Sequence, residues 1–231
     1  MNNVFSFFCK KSIKLSAAYL ASFWLIFSSP ANALDLQCNL TEHASIKPGV
    51  VAMMSDAANN GYLYYVDAST SDITFQVNHF PFSSVQGNFA NFQGGITIPT
   101  EPETSRQALF VIKANSISTG DQDIDDYLKS PVFFNVLKFP DIIFVSTGIE
   151  WINKSTARLH GYLTLHGKTK TLVFNMRIDP NDTDKDDKNK IITMIASAKI
   201  LRSDFGMREL QTFVSDIVEF NLKIKATRMG G

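Results

Sequence analysis

From Tyr62 onward the chain alternates apolar and polar residues with a period of two, and it does so again and again. Period two is the side-chain repeat of a β-strand, so each such stretch owns one apolar face that must be buried. The stretches are Ile73, Phe75, Val77 and His79; Phe89 to Ile98; Ala108, Phe110, Ile112 and Ala114; and Ile142, Phe144 and Ser146. They continue with Ala157, Leu159, Gly161, Leu163 and Leu165; Leu172, Phe174, Met176 and Ile178; Ile192, Met194, Ala196, Ala198 and Ile200; and Val218, Phe220, Leu222 and Ile224. Eight stretches with short, turn-rich connections predict an all-β antiparallel barrel or sandwich.

The connections carry their own signals. Gly94-Gly95 interrupts the second stretch and suggests a bulge or bend. Asp121 to Ser130 is acidic at its start and ends before Pro131, which predicts a short helix between the third and fourth stretches, with Pro131 to Val136 as a second helical turn. His166-Gly167 separates Leu165 from Lys168 and reads as a tight hairpin, Gly167 supplying a residue that tolerates positive φ. Asp182, Asp184 and Asp186 alternate like calcium ligands. Asp187 and Thr193 stand where an EF-hand needs Gly and Glu, so the segment reads as a solvated hairpin loop.

The N-terminus reads differently. Lys10, Lys11 and Lys14 precede an uncharged run from Leu15 to Phe27, and Pro30 and Ala31-Asn32-Ala33 follow. This is the pattern of a secretory signal peptide over residues 1–33, and the run is short for a membrane-spanning helix. Cleavage would remove three of the 22 basic residues and none of the 22 acidic ones, leaving a net charge near −3. That balance argues against nucleic-acid binding and against attraction to anionic lipid. It would leave Cys38 alone, with no internal disulfide, so stability must come from the core. Residues 34–61 form an N-terminal extension in which Val50 to Ala58 suggests a short helix, stopped by Asn59-Asn60-Gly61.

Catalytic signatures are missing. The chain has no G-x-S-x-G elbow, P-loop or H-E-x-x-H motif, and His43, His79, His160 and His166 lack the spacing of zinc ligands. No enzyme activity and no cofactor are expected. His79 shares parity with Phe75 and Val77 and is expected to point inward; His160 is expected to face solvent. The interior is then aromatic and aliphatic, and an eight-stranded barrel either fills such an interior or holds one ligand.

Five motifs in order resemble one family. They are "YYVDASTSDITFQVNH" (Tyr64 to His79), "VQGNFANFQGGI" (Val85 to Ile96), "ANSISTGDQDIDDYLKSPVFFNVLKFPDIIFVST" (Ala114 to Thr147), "GYLTLHGKTKTL" (Gly161 to Leu172) and "RSDFGM" (Arg202 to Met207). They are similar to the YceI-like proteins over residues 62–228. The chain departs from the family pattern at Ile124 and Tyr127, where an Arg and a His are usual, and after His79, where Phe80-Pro81 follows.

The resemblance implies an exported, lipocalin-like eight-stranded barrel with a helical cover between strands three and four. It also implies a long-chain lipid or isoprenoid ligand: a polyisoprenoid, an isoprenoid quinone or a fatty-acid derivative. The periplasm is the expected location, with no stable membrane insertion after cleavage, and a homodimer stays open. The residues expected to line the interior are Phe75, Val77, Phe89, Phe110, Phe133, Phe134, Phe144, Leu163, Phe174, Met176, Met194 and Phe220, with His79 available to a head group. The competing reading is a filled structural or stress-related barrel that acts through a protein partner.

Overall fold

A computed structural model describes residues 61–66, 68–79, 83–99, 107–178 and 191–228. The expected signal peptide, the extension and the acid-rich 179–190 loop lie outside the described residues.

Among the described residues eleven strands form one antiparallel sheet. They are β1 (Gly61–Val66), β2 (Asp72–His79), β3 (Ser83–Phe89), β4 (Phe92–Pro99), β5 (Gln107–Lys113), β6 (Ile117–Ser118), β7 (Asp141–Trp151), β8 (Thr156–Leu165), β9 (Lys168–Ile178), β10 (Ile191–Leu201) and β11 (Val214–Arg228). Among the described residues one α-helix, α1 (Gln122–Lys129), lies between β6 and β7. The 15-residue β11 closes the ring: it pairs with β10 on one side and with both β1 and β2 on the other.

β1 pairs with β4 and β2 with β3; β4 pairs with β5 and β3 with β6. β1 and β2 therefore occupy one position in the ring, as do β3 with β4 and β5 with β6. The barrel is a closed ring of eight positions, the first three each broken in two. The helix, expected after the third strand, accordingly follows β6. This corrects the expected strand order, and the cause is local. Each of the first three strands breaks where the wall bends, and the bend costs ladder hydrogen bonds.

Two serines replace those bonds. The Ser71 hydroxyl accepts from the Lys225 amide (2.9 Å) and donates to the Lys225 carbonyl (3.3 Å), bridging the gap between β1 and β2. The Ser116 hydroxyl accepts from the Asn91 amide (3.0 Å) and donates to the Lys113 carbonyl (2.7 Å), bridging the gap between β5 and β6. The second break falls at Ala90-Asn91. Gly94 and Gly95, where the sequence suggested a bulge, stand in unbroken register with Phe110 and Leu109.

α1 begins as its sequence predicts. Asp121 caps it, its carboxylate accepting from the amides of Asp123 (3.0 Å) and Ile124 (3.2 Å), a contribution of about 1 kcal/mol. Asp125 turns inward and is buried. It accepts from the Thr119 amide (2.6 Å) and hydroxyl (2.7 Å), which ties the helix to the end of β6. Burial would raise the Asp125 carboxyl. The Thr119 hydroxyl and amide, Ser118 and Lys129 outweigh that and hold it below its ordinary value. Pro131 to Phe134 forms turns rather than a second helix.

The β8–β9 hairpin is as tight as expected. Leu165 opposes Lys168, and both His166 (φ 50°) and Gly167 (φ 70°) are left-handed. Two left-handed residues are what a type I′ turn requires. His166 is half-buried rather than a bare turn residue. Its Nδ1 donates to the Phe205 carbonyl (2.9 Å), and its ring meets Phe139 edge-on with centroids 4.8 Å apart.

Candidate functional site

The even-numbered residues of β9 from Leu172 to Ile178, of β10 from Ile192 to Ile200 and of β11 from Val218 to Ala226, with their equivalents on the other strands, face one continuous apolar interior. Ten of the expected lining residues lie there buried: Phe75, Phe89, Phe110, Phe133, Phe144, Leu163, Phe174, Met176, Met194 and Phe220. Phe134 is half-buried against the same cluster. Val77 is half-buried, and His79 is exposed. The buried position expected for His79 is thus corrected. β2 keeps unbroken register with β3 to its last pair, His79 and Ser83, so His79 retains the parity of Phe75 and is exposed because it ends the strand. The His79 ring instead bonds Ser83 Oγ across the β2–β3 turn at 3.2 Å.

Three of the inward phenylalanines lie flat on glycine. A β-carbon on Gly87 would stand 2.5 Å from the Phe75 ring; on Gly94, 2.7 Å from Phe110; and on Gly161, 2.5 Å from Phe144. Phe75 and Phe110 sit directly opposite their glycines, and Phe144 lies one step diagonal to Gly161. Each ring takes the space a side chain would need at its glycine. β10 adds Ala196 and Ala198 to the inner face. The sequence list held the three rings but missed the glycines, because pairing across strands is not visible in one strand's alternation.

One end of the interior is closed. Phe89 contacts Phe75 (centroids 5.8 Å) and Phe134 (6.0 Å), and Tyr127 of α1 stacks edge-on against Phe133 (5.2 Å). Deeper in, Phe144 and Phe174 meet at 88° and 5.1 Å. Each such pair adds about 1 kcal/mol beyond its area.

Arg202, which the sequence named only as part of the RSDFGM motif, anchors this end. It is buried, and its guanidinium lies 5.9 Å from the Phe133 ring centroid. It donates to the carbonyls of Ser215 (3.0 Å), Met207 (2.9 Å), Glu209 (2.6 Å) and Val214 (3.0 Å). Burial pulls the guanidinium below its ordinary value, and the charges of Asp216 and Glu209 oppose that. It stays protonated and gathers the 202–215 loop around itself. At the opposite end, the inward residues Ile98, Ile149, Leu159 and Ile178 are only half-buried. Among the described residues no group of three or more His, Cys, Asp and Glu gathers as metal ligands would.

With this geometry established, the comparisons are specific. A family model, the YceI-like domain, matches residues 64–226. The chain belongs to the YceI-like family. Among its relatives, a UPF0312 protein of Shewanella baltica is 29% identical over 132 residues, 57% of this chain and 69% of its own length. A UPF0312 protein of Yersinia enterocolitica is 31% identical over 112 residues, 48% and 58% of the two chains.

Solved structures agree on the YceI-like fold. The Campylobacter jejuni YceI protein matches with a TM-score of 0.57 at 28% identity, covering 65% of this chain and 88% of its own. Burkholderia cenocepacia BcnA matches with a TM-score of 0.61 at 22% identity, covering 70% and 99%. A polyisoprenoid binding domain from Saccharophagus degradans, implicated in plant cell wall breakdown, matches with a TM-score of 0.57 at 16% identity, covering 72% and 98%. The last two matches concern the fold alone.

Proposed function

We propose that this YceI-like barrel is an exported carrier that holds one long-chain apolar molecule in its interior: a polyisoprenoid, an isoprenoid quinone or a fatty-acid derivative. The observation that carries the reading is the set of phenylalanines lying on glycines. A barrel selected only to be solid would fill its axis with upright side chains; here the large rings are laid against the wall. The polyisoprenoid binding domain of similar fold supports the same ligand class. Binding draws on burial of the chain, about 0.8 kcal/mol per methylene, and no chemistry is assigned to the site. With His79 exposed and bonded to Ser83, a head group would meet the half-buried rim of Ile98, Ile149, Leu159 and Ile178.

Export to the periplasm is part of the proposal and rests on the basic, apolar and A-x-A segments of residues 1–33. Native mass spectrometry and organic extraction of protein purified from that compartment are the tests. A stoichiometric isoprenoid or fatty chain, on a polypeptide starting at Leu34, is the expected result. Protein that is empty and takes up no long-chain fluorescent probe would overturn the carrier reading; a retained N-terminus would overturn the cleavage.

A further inference from the structure

The closed end of the barrel carries two turns built alike. Asn135 (φ 47°) and Leu210 (φ 55°) are both left-handed. The Asn135 carbonyl accepts from the amides of Lys138 (2.9 Å) and Phe139 (2.8 Å), and the Leu210 carbonyl from those of Phe213 (2.9 Å) and Val214 (2.8 Å). Asparagine adopts this backbone readily; leucine does so against the crowding of its own β-carbon. Each turn is held by paired hydrogen bonds, and what it presents to water is apolar. Leu137 is 98% exposed, Phe213 58%, and Val132 and Leu210 41% each.

The two turns lie at the same end and are joined. Arg202, which gathers the 202–215 loop, reaches the Phe133 ring, and His166 meets Phe139 with its ring and the Phe205 carbonyl with Nδ1. Leu201 and Ile217, directly opposed where β10 and β11 reach this end, continue the exposed apolar surface onto the outer wall. Cations border it. Lys138, Lys168, Lys170 and Arg208 are exposed, and Lys168 Nζ lies beside Gly206, 2.9 Å from where a β-carbon there would stand. The acids of the same loops are Asp204 and Glu209. Of the acids of α1, Asp121 and Asp123 sit at its N-terminus, and Asp126 is bonded by Gln122 (2.9 Å). The charge balance of the whole chain, 22 basic against 22 acidic residues, hides this local excess.

We propose that the closed end docks on an anionic membrane surface. Val132, Leu137, Leu210 and Phe213 enter the headgroup layer, and Lys138, Lys168, Lys170 and Arg208 meet the lipid phosphates. Aliphatic and aromatic side chains ringed by cations match the boundary between headgroups and acyl chains, where each finds its own medium. A second copy would bring the same cations against these, and like charges oppose that pairing. Docking of this kind sets the carrier proposed above against the phase in which long-chain apolar molecules dissolve, and it does not require that the barrel be loaded.

An environment-sensitive dye reads the contact. In the full chain with Cys9→Ser and Cys38→Ser, the dye is attached at Leu137→Cys, or at Ile152→Cys on the β7–β8 turn of the opposite end. Vesicles of phosphatidylethanolamine and phosphatidylglycerol are then added. The expected result is a blue shift at Leu137→Cys and none at Ile152→Cys. Adding Phe213→Asp, or Lys138→Glu with Arg208→Glu, should raise the lipid concentration for half the shift by at least about tenfold, with the sheet signal unchanged. Salt should weaken the response to these vesicles. No shift at Leu137→Cys, equal shifts at the two sites, or a shift indifferent to Phe213→Asp overturns the proposal. A shift that appears without vesicles and grows with protein concentration assigns the face to a second copy and also overturns it. The dye reports lipid contact and not loading. An empty barrel that docks would remove the carrier reading alone, and a loaded barrel whose Leu137 site stays in water would remove docking alone.

Discussion

Phe144 and Gly161 touch across the β7–β8 ladder: a β-carbon on Gly161 would lie 2.5 Å from the ring's Cζ and equally close to the Val145 carbonyl oxygen. The ring can lie along the wall only because that carbon is missing. Gly161→Ala is expected to cost about 1–3 kcal/mol through overpacking. At roughly 2–4 °C per kcal/mol for a chain of this size, the melting temperature should fall by about 2–12 °C. Phe144→Leu in the same chain should recover part of the loss. A thermal melt showing no loss for Gly161→Ala would mean that the ring has room to stand upright.

Ala196 and Ala198 are the small residues of β10 that face the interior, opposite Met176 and Phe220. Ala196→Phe should fill the axis beside Phe174 and reduce uptake of a long-chain fluorescent probe by at least about tenfold. Circular dichroism should retain the sheet signal. Full uptake by a folded Ala196→Phe chain would remove the axis of the barrel as the binding path.

Asp125 contributes to stability with a definite sign in pH. Its carboxyl lies below its ordinary value in the folded chain, since the Thr119 bonds outweigh the burial. Its contribution is therefore fully present above the unfolded carboxylate value, about 3.9, and is lost as pH falls through the lower folded value. Asp125→Asn should be less stable by about 1–3 kcal/mol at pH 7, with a gap that stays constant down to about pH 5 and narrows only in stronger acid. Urea unfolding across pH checks this, and a gap that widens in acid would contradict the assignment.

Arg202 holds four carbonyls with one planar fork. A lysine has three donors on a single nitrogen and cannot reach all four. Arg202→Lys is expected to cost about 2–4 kcal/mol, because buried carbonyls lose their partners. The 202–215 loop should become the first site of proteolysis. Unchanged urea unfolding of that variant would show that water replaces the guanidinium at little cost.

Much of the fold was legible strand by strand. The parity of Leu172, Phe174, Met176 and Ile178, or of Ile192 through Ile200, names the inner face correctly because alternation is set by the pleat of the strand itself. The same holds for Asp121 as a helix cap and for the hairpin at His166-Gly167, where a few adjacent residues decide the backbone. The reading weakened at strand ends and wherever a partner strand intervened. His79 shares parity with Phe75, yet it ends its strand beside the β2–β3 turn and is exposed there. Gly94-Gly95 looked like a bend from within its strand; in the sheet Gly94 is the bed of Phe110, and the bend falls at Ala90-Asn91.

The sequence by itself determined that the chain would make an antiparallel β-wall with one apolar face, capped by one short acidic helix. These follow from periodicity and caps, which act over a few residues. Only the tertiary structure decided that the wall closes through β11, that Ser71 and Ser116 mend its broken strands, and that Arg202 anchors the closed end. It also decided that three phenylalanines lie on three glycines and that Leu109 and Val111 are buried on the outside. Each of these joins groups far apart in the chain. The physical reason is that steric fit and hydrogen-bond satisfaction are settled between strands, whereas periodicity is written within one.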